Sequence, residues 1–155
     1  KTHGGRVLKP PEYAPLIARY LRAHPQARIY LATDSPAFLR EVREAHGEAI
    51  VSYDALRSEK NAFQDRGVPD NYKKGEDALV EALLLSCSSF LLKPASALSE
   101  FAVYFNFALH NHTVEMQFEL GQAPWAEAMQ AHLGSARDGV RGRERCASLL
   151  REGWE

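Results

Sequence analysis

Short apolar runs that each pass through a small-residue turn into an amphipathic helix constrain this chain more than any other feature. Ala27-Arg28-Ile29-Tyr30-Leu31-Ala32 leads through Thr33-Asp34-Ser35-Pro36 to Phe38, Leu39 and Val42 at helical spacing. Ala49-Ile50-Val51-Ser52 follows that helix, and Ser89-Phe90-Leu91-Leu92-Lys93 leads through Pro94-Ala95-Ser96-Ala97 to Phe101, Ala102 and Phe105. Such short, continuously apolar runs suit strands buried on both faces. Helical crossovers between them favour parallel neighbours. The expected architecture is therefore α/β, a parallel sheet with helices on both faces. Sheets of that kind bind ligands beyond the carboxyl ends of their strands, which singles out Asp34, the loop after Ser52, and Ser96.

The remaining punctuation agrees with this layout. Pro10-Pro11-Glu12 predicts the start of a helix carrying Leu16, Ile17, Tyr20 and Leu21, and His24-Pro25 predicts its end. Gly47 suits a left-handed position closing the helix that ends near His46. Residues 53–74 read as a polar, irregular loop with Arg57, Lys60, Arg66, Lys73 and Lys74; a loop that long points to function or mobility, and a solvated surface insertion fits equally well. The next helix is expected to begin at Gly75-Glu76-Asp77 and run to about Cys87, with Leu79, Val80, Leu83 and Leu84 on buried faces. Val114, Met116, Phe118 and Leu120 alternate with polar residues as in a half-buried strand, and Pro124-Trp125 predicts a further helix. The chain is thus expected to hold one α/β domain over 1–122 and a helical extension over 123–155 packing on it.

Composition narrows the function. Over 155 residues the chain is 45% hydrophobic and 25% charged, with a net charge of −1. Nothing there points to bulk nucleic-acid binding or to an anionic membrane, so an anionic ligand must be held by local geometry. No apolar run reaches the length of a membrane span. Cys87 and Cys146 are too few for a disulfide framework and have no metal-ligand spacing. The expectation is a small buried residue at Cys87 and an exposed or helical one at Cys146. Asn111-His112-Thr113 is an N-glycosylation sequon, meaningful only in a lumenal or secreted protein. The chain opens on Lys1 rather than Met, and is read as part of something longer.

Three groups of residues carry possible chemistry. Ser96, Ala97 and Ser99 surround a helix N-terminus, where unpaired amides, the helix dipole and serine hydroxyls favour a phosphate. The same serines also suit plain helix capping. Asp77 and Glu81 are one helical turn apart, so both carboxylates share a face. A carboxylate among leucines needs donors, which the N1–H and exocyclic amine of guanine supply; a salt bridge to Lys73, Lys74 or Arg57 would serve as well. Asp34 fits a ribose or sugar hydroxyl, and also a helix N-cap. His110 and His112 read as solvated loop residues.

The run from Lys74 to Glu100, KGEDALVEALLLSCSSFLLKPASALSE, resembles the nucleotide-binding segment of GDP-fucose-dependent fucosyltransferases. That group includes the core alpha-1,6 enzymes, the nodulation fucosyltransferases and O-fucosyltransferase-like proteins. Ile29-Tyr30-Leu31-Ala32-Thr33-Asp34 is similar to the family's strand and turn ending Ala-Thr-Asp, and the two pieces together cover about residues 12–108 in the right order. The resemblance implies the C-terminal, Rossmann-like half of a GT-B glycosyltransferase. It implies inverting, metal-independent transfer of fucose from GDP-fucose to a glycan or protein acceptor, with no cofactor beyond the donor. An N-terminal acceptor domain of the same protein is implied as partner, in a Golgi or other secretory-pathway lumen.

Carried over by position, the resemblance places Glu81 on the base, Ser96 on the β-phosphate, and Ala97 and Asp34 beside the nucleotide sugar; Asp77, on the same helical face as Glu81, and Ser99, in the Ser96 turn, complete the expected binding set. Glu81 stands where an Asp is usual, Ala97 where a second serine is common, and Ser35 where some members have another acid. The family's basic motif, with its phosphate-binding arginine, would precede Lys1. These residues alone are therefore expected to show no turnover, and no catalytic base is assigned. The same departures suit a second outcome, a fucosyltransferase-like scaffold without activity.

Overall fold

The computed structural model describes residues 7–116 except 61, 63, 64 and 68. Helix α1 spans Pro10–Ala23. Pro10 occupies its first turn, where a missing N–H costs nothing, and Glu12 accepts the Lys9 amide at 2.8 Å. The helix ends at His24, ahead of Pro25, as the sequence predicts. Strand β1 is only Ile29–Tyr30, followed by helix α2 (Pro36–His46), a short 3₁₀ turn (Gly47–Ala49) and strand β2 (Ile50–Val51).

Strands β1 and β2 pair in parallel, Ile29 opposite Ile50 and Tyr30 opposite Val51, and the Leu31 amide donates to the Val51 carbonyl at 2.8 Å. With α2 as crossover this is a β-α-β unit, and α1 packs against α2. Its core joins Ile17, Val42 and Ile50 with Tyr13, Leu21, Ile29, Leu31 and Phe38 around them. Tyr13 meets Phe38 edge to face at 5.8 Å. Gly47 closes α2 with φ +57° and ψ −134°, a conformation side-chain-bearing residues rarely adopt.

The described residues divide into two compact units, Val7–Glu81 and a second that begins at Ala82. The division falls inside helix α3 (Asn71–Ser86). The expected boundary near residue 122 and the expected helix after Pro124 lie outside the described residues. In the second unit, strand β3 (Leu91–Lys93) is followed by α4 (Ala97–Phe105), a 3₁₀ segment (Phe107–His112) and β4 (Thr113–Glu115). Strand β4 pairs in parallel with β3, placing Leu92 opposite Val114. Leu91, Ala102, Leu109, Val114 and Met116 are buried there, and the Asn106 side-chain amide donates to the Ser86 carbonyl at 2.7 Å.

The α/β class therefore holds, with a correction to its form. Among the described residues there are two two-stranded parallel sheets, not one continuous sheet. An apolar run marks a strand, but the pattern does not say which run its backbone donors will meet.

Three further expectations are corrected. Helix α3 starts at Asn71 rather than Gly75, because the Asp70 carboxylate accepts the Lys73 amide at 2.8 Å and caps it earlier. Leu79, Leu83 and Leu84 are exposed, while Lys74, Asp77 and Glu81 are buried, so the helix turns its polar stripe inward. Cys87 is half-buried and disulfide-bonded rather than a free core thiol. Cys146, the other cysteine of the sequence, lies outside the described residues.

Candidate functional site

The loop that joins β2 to α3 is held by carboxylates instead of by an apolar core. Asp77, 4% exposed, accepts the Leu56 amide at 2.8 Å and the Lys73 ammonium at 2.6 Å. Lys73 also donates to Glu76 at 3.2 Å and to the Tyr53 hydroxyl at 3.3 Å, and lies 5.5 Å from the centre of the Tyr53 ring. Asp65 fixes the next stretch, accepting the Ser58 hydroxyl and the Gly67 amide. The Lys74 ammonium donates to the Asp65 carbonyl at 3.0 Å, and the Ser58 amide donates to the Asp34 carbonyl at 2.9 Å. What reads in sequence as a structureless polar loop is thus tied at both ends.

Within this frame Arg57 folds back on its own turn, donating to the Ala55 carbonyl at 2.9 Å and the Tyr53 carbonyl at 2.6 Å. The same Nη2 lies 3.8 Å from Glu81 Oε1, close enough for an ion pair and too far for a hydrogen bond. Glu81 is 6% exposed. Its Oε1, the Arg57 Nε and the Tyr30 hydroxyl are buried without a hydrogen-bond partner. The Tyr53 backbone favours the Tyr30 phenolate slightly, but no bond of normal geometry reaches that hydroxyl. Three neighbouring polar groups left wanting partners are uncommon in a folded interior.

The electrostatics follow from this. Burial pushes the Glu81 carboxyl up to about 7; Arg57 opposes the shift, while Asp77 and Asp34 add to it. Burial, then the Glu81 charge, pushes Tyr30 up to about 12. Burial also acts to raise Asp77, but the bonds from Lys73 and the Leu56 amide outweigh it and hold that carboxyl below its ordinary value. Lys73 is pushed up by its bonds to Asp77, Glu76 and Tyr53.

The two acids that share a helical face therefore differ in chemistry: Asp77 is a satisfied structural anion, and Glu81 is an unsatisfied one. Asp34 is exposed at the end of the β1 segment, and the N-cap of α2 is Ser35, whose hydroxyl accepts the Phe38 amide at 3.2 Å.

In the second unit, the turn after β3 is built by two serines. Ser96 is the N-cap of α4, accepting the Ser99 amide at 3.3 Å. Ser99 is buried, its hydroxyl reaching the Ser96 carbonyl at 2.9 Å and the Pro94 carbonyl at 3.2 Å, with the Ser96 hydroxyl 3.1 Å away. A hydroxyl has one hydrogen, so Ser99 spends its own on a carbonyl, and the Ser96 hydrogen is left for Ser99 or a ligand. Ala97 is exposed at the first position of α4. Lys93, 3% exposed at the end of β3, donates to both Glu100 and Glu115.

In the sequence Arg57 stands out only as a possible counter-ion, and Tyr30 and Lys93 do not stand out. A tyrosine and a lysine inside runs read as buried on both faces were the available signals. Among the described residues, no group of His, Cys, Asp or Glu side chains is arranged to hold a metal ion, and no helix is long and apolar enough to cross a membrane. Comparison with protein-family models, with curated proteins and with solved structures gives no match.

Proposed function

We propose that this chain is the nucleotide-sugar-binding part of a fucosyltransferase-like glycosyltransferase, taking GDP-fucose as donor and a glycan or protein as acceptor. The observation that carries the proposal is the Glu81 carboxylate, buried beside Arg57 with Oε1 lacking any donor. Guanine offers two adjacent N–H donors on one edge, the complement of an ionised carboxylate. Pairing with them removes the cost of an unmet buried acceptor. The Tyr30 hydroxyl and Arg57 Nε give the same region further polar groups able to meet a base or ribose. Asp77 acts at one remove, fixing the Leu56 turn and Lys73, and Asp34 stays exposed for a sugar hydroxyl.

For the diphosphate, the Ser96 turn supplies the first amides of α4, the Ser96 hydroxyl and the positive end of the helix dipole. Ser99 supports that turn from inside. Transfer breaks the bond between the fucose anomeric carbon and a β-phosphate oxygen. Donors aimed at that oxygen stabilise the charge it gains. The fold class and the resemblance of residues 74–100 support this reading, and inverting, metal-independent chemistry belongs to the proposal. A second reading, an inactive scaffold of the same fold, is favoured by one observation: Asp77 and Ser99 already have internal partners.

Calorimetry separates the two. GDP should bind the intact protein, and Glu81→Ala should weaken GDP far more than pyrophosphate. Equal loss for both ligands removes the guanine role, and no GDP binding at all favours the scaffold.

A further inference from the structure

We propose that Asn111 carries an N-linked glycan, added while the chain enters an oxidising secretory compartment. Two independent observations meet here, and neither depends on GDP binding. The first is the sequon Asn111-His112-Thr113, whose middle residue is not proline. The structure puts Asn111 on the surface, exposed at the end of the 3₁₀ segment Phe107–His112. Its neighbours Leu109 and Val114, each 1% exposed, anchor the segment from both sides. A saccharide on the Asn111 amide therefore displaces no packed side chain. The second observation is the disulfide at Cys87. Disulfides persist in the secretory lumen and outside the cell, and are rare where glutathione keeps thiols reduced. In a eukaryotic cell, the lumen that oxidises such a cysteine is also the one in which sequons are read.

The Thr113 hydroxyl donates to the Leu109 carbonyl at 2.7 Å in the folded chain. The hydroxyl is needed at transfer, while the sequon is still extended, and this bond forms afterwards. In the transfer step the Asn111 amide nitrogen forms a bond to the anomeric carbon of a lipid-diphosphate-linked oligosaccharide. The bond from that carbon to the diphosphate oxygen breaks, the lipid diphosphate leaves with the electron pair, and the amide gives up one proton.

The test uses the full-length protein expressed from its own coding sequence in a eukaryotic host. Peptide N-glycosidase in heavy-oxygen water should convert Asn111 to a labelled aspartate. Asn111→Gln should reduce the mass shift on deglycosylation by one glycan, while Thr113→Ser, which keeps a hydroxyl, should leave it unchanged. Before reduction, Cys87 should resist alkylation in the same preparation. An unmodified Asn111 in protein whose Cys87 is oxidised overturns the proposal, and so does a freely alkylated Cys87. Neither result bears on GDP affinity, so the two proposals fail separately.

Discussion

Replacing Glu81 by glutamine should make the ligand-free protein more stable at alkaline pH while weakening nucleotide binding, and the size of the first effect follows from burial. A carboxyl lifted from 4.5 to about 7 holds more protons in the folded chain than in the unfolded one. Stability therefore falls as pH rises through that window, and the loss is complete above about 7. At about 1.4 kcal/mol per pH unit, the wild type should lose roughly 2–3 kcal/mol relative to E81Q between pH 5 and pH 8. Near a midpoint that corresponds to about 5–10 °C for a chain of this size. Arg57 loses its counter-ion in E81Q, but it does so at every pH and contributes a constant offset. The informative quantity is thus the change in the difference, measured by urea unfolding of both proteins across the range.

Nucleotide binding should move the other way. Guanine needs the ionised carboxylate, so GDP affinity should fall by up to about tenfold for each pH unit below 7, and glutamine should weaken it ten- to hundredfold at pH 7 and above, a gap that closes as the wild type takes up its proton. A wild type whose stability relative to E81Q stays level, or grows with pH, would show that Arg57 keeps Glu81 ionised at all pH values. The account of an unmet acceptor would then be wrong.

Other changes probe the parts separately. Asp77→Asn should cost about 1–3 kcal/mol and speed amide exchange at Leu56, because the Leu56 amide loses its anionic acceptor and Lys73 keeps only the more exposed Glu76 as a charged partner. The Asp77 contribution, from a carboxyl held below its ordinary 3.8, is present above that pH and should be lost only under more acid conditions; denaturation at low pH reads it. Ser96→Ala should lower stability by about 1 kcal/mol as a lost cap, and should weaken GDP and pyrophosphate by the same factor. Gly47→Ala should destabilise by roughly 1–2 kcal/mol through backbone strain alone, since nothing lies within 4 Å of the added methyl; a neutral result in thermal unfolding would contradict the positive φ.

How much of this was legible in the sequence depends on whether the deciding interaction is local. Pro10, His24-Pro25, Ser35-Pro36, Gly47 and Ser96 act on the residues beside them, and each marks an element end that the structure keeps. The Asp70 cap is equally local, but Gly75-Glu76-Asp77 behind it also reads as a helix start, four residues after the one the structure has. Sheet pairing is not local, and equally apolar runs do not announce their partners; the two separate ladders came only from the backbone hydrogen bonds.

The candidate site divides on the same line. Spacing alone put Asp77 and Glu81 on one face, but their difference in character comes from elsewhere in the chain. The Leu56 amide, 21 residues upstream, satisfies Asp77, whereas Arg57 spends both Nη groups on carbonyls of its own turn and leaves Glu81 Oε1 unmet. A helix that buries Lys74, Asp77 and Glu81 while exposing Leu79 and Leu83 gives up apolar burial for this arrangement, and local sequence rules fail most often at functional or strained sites of this kind.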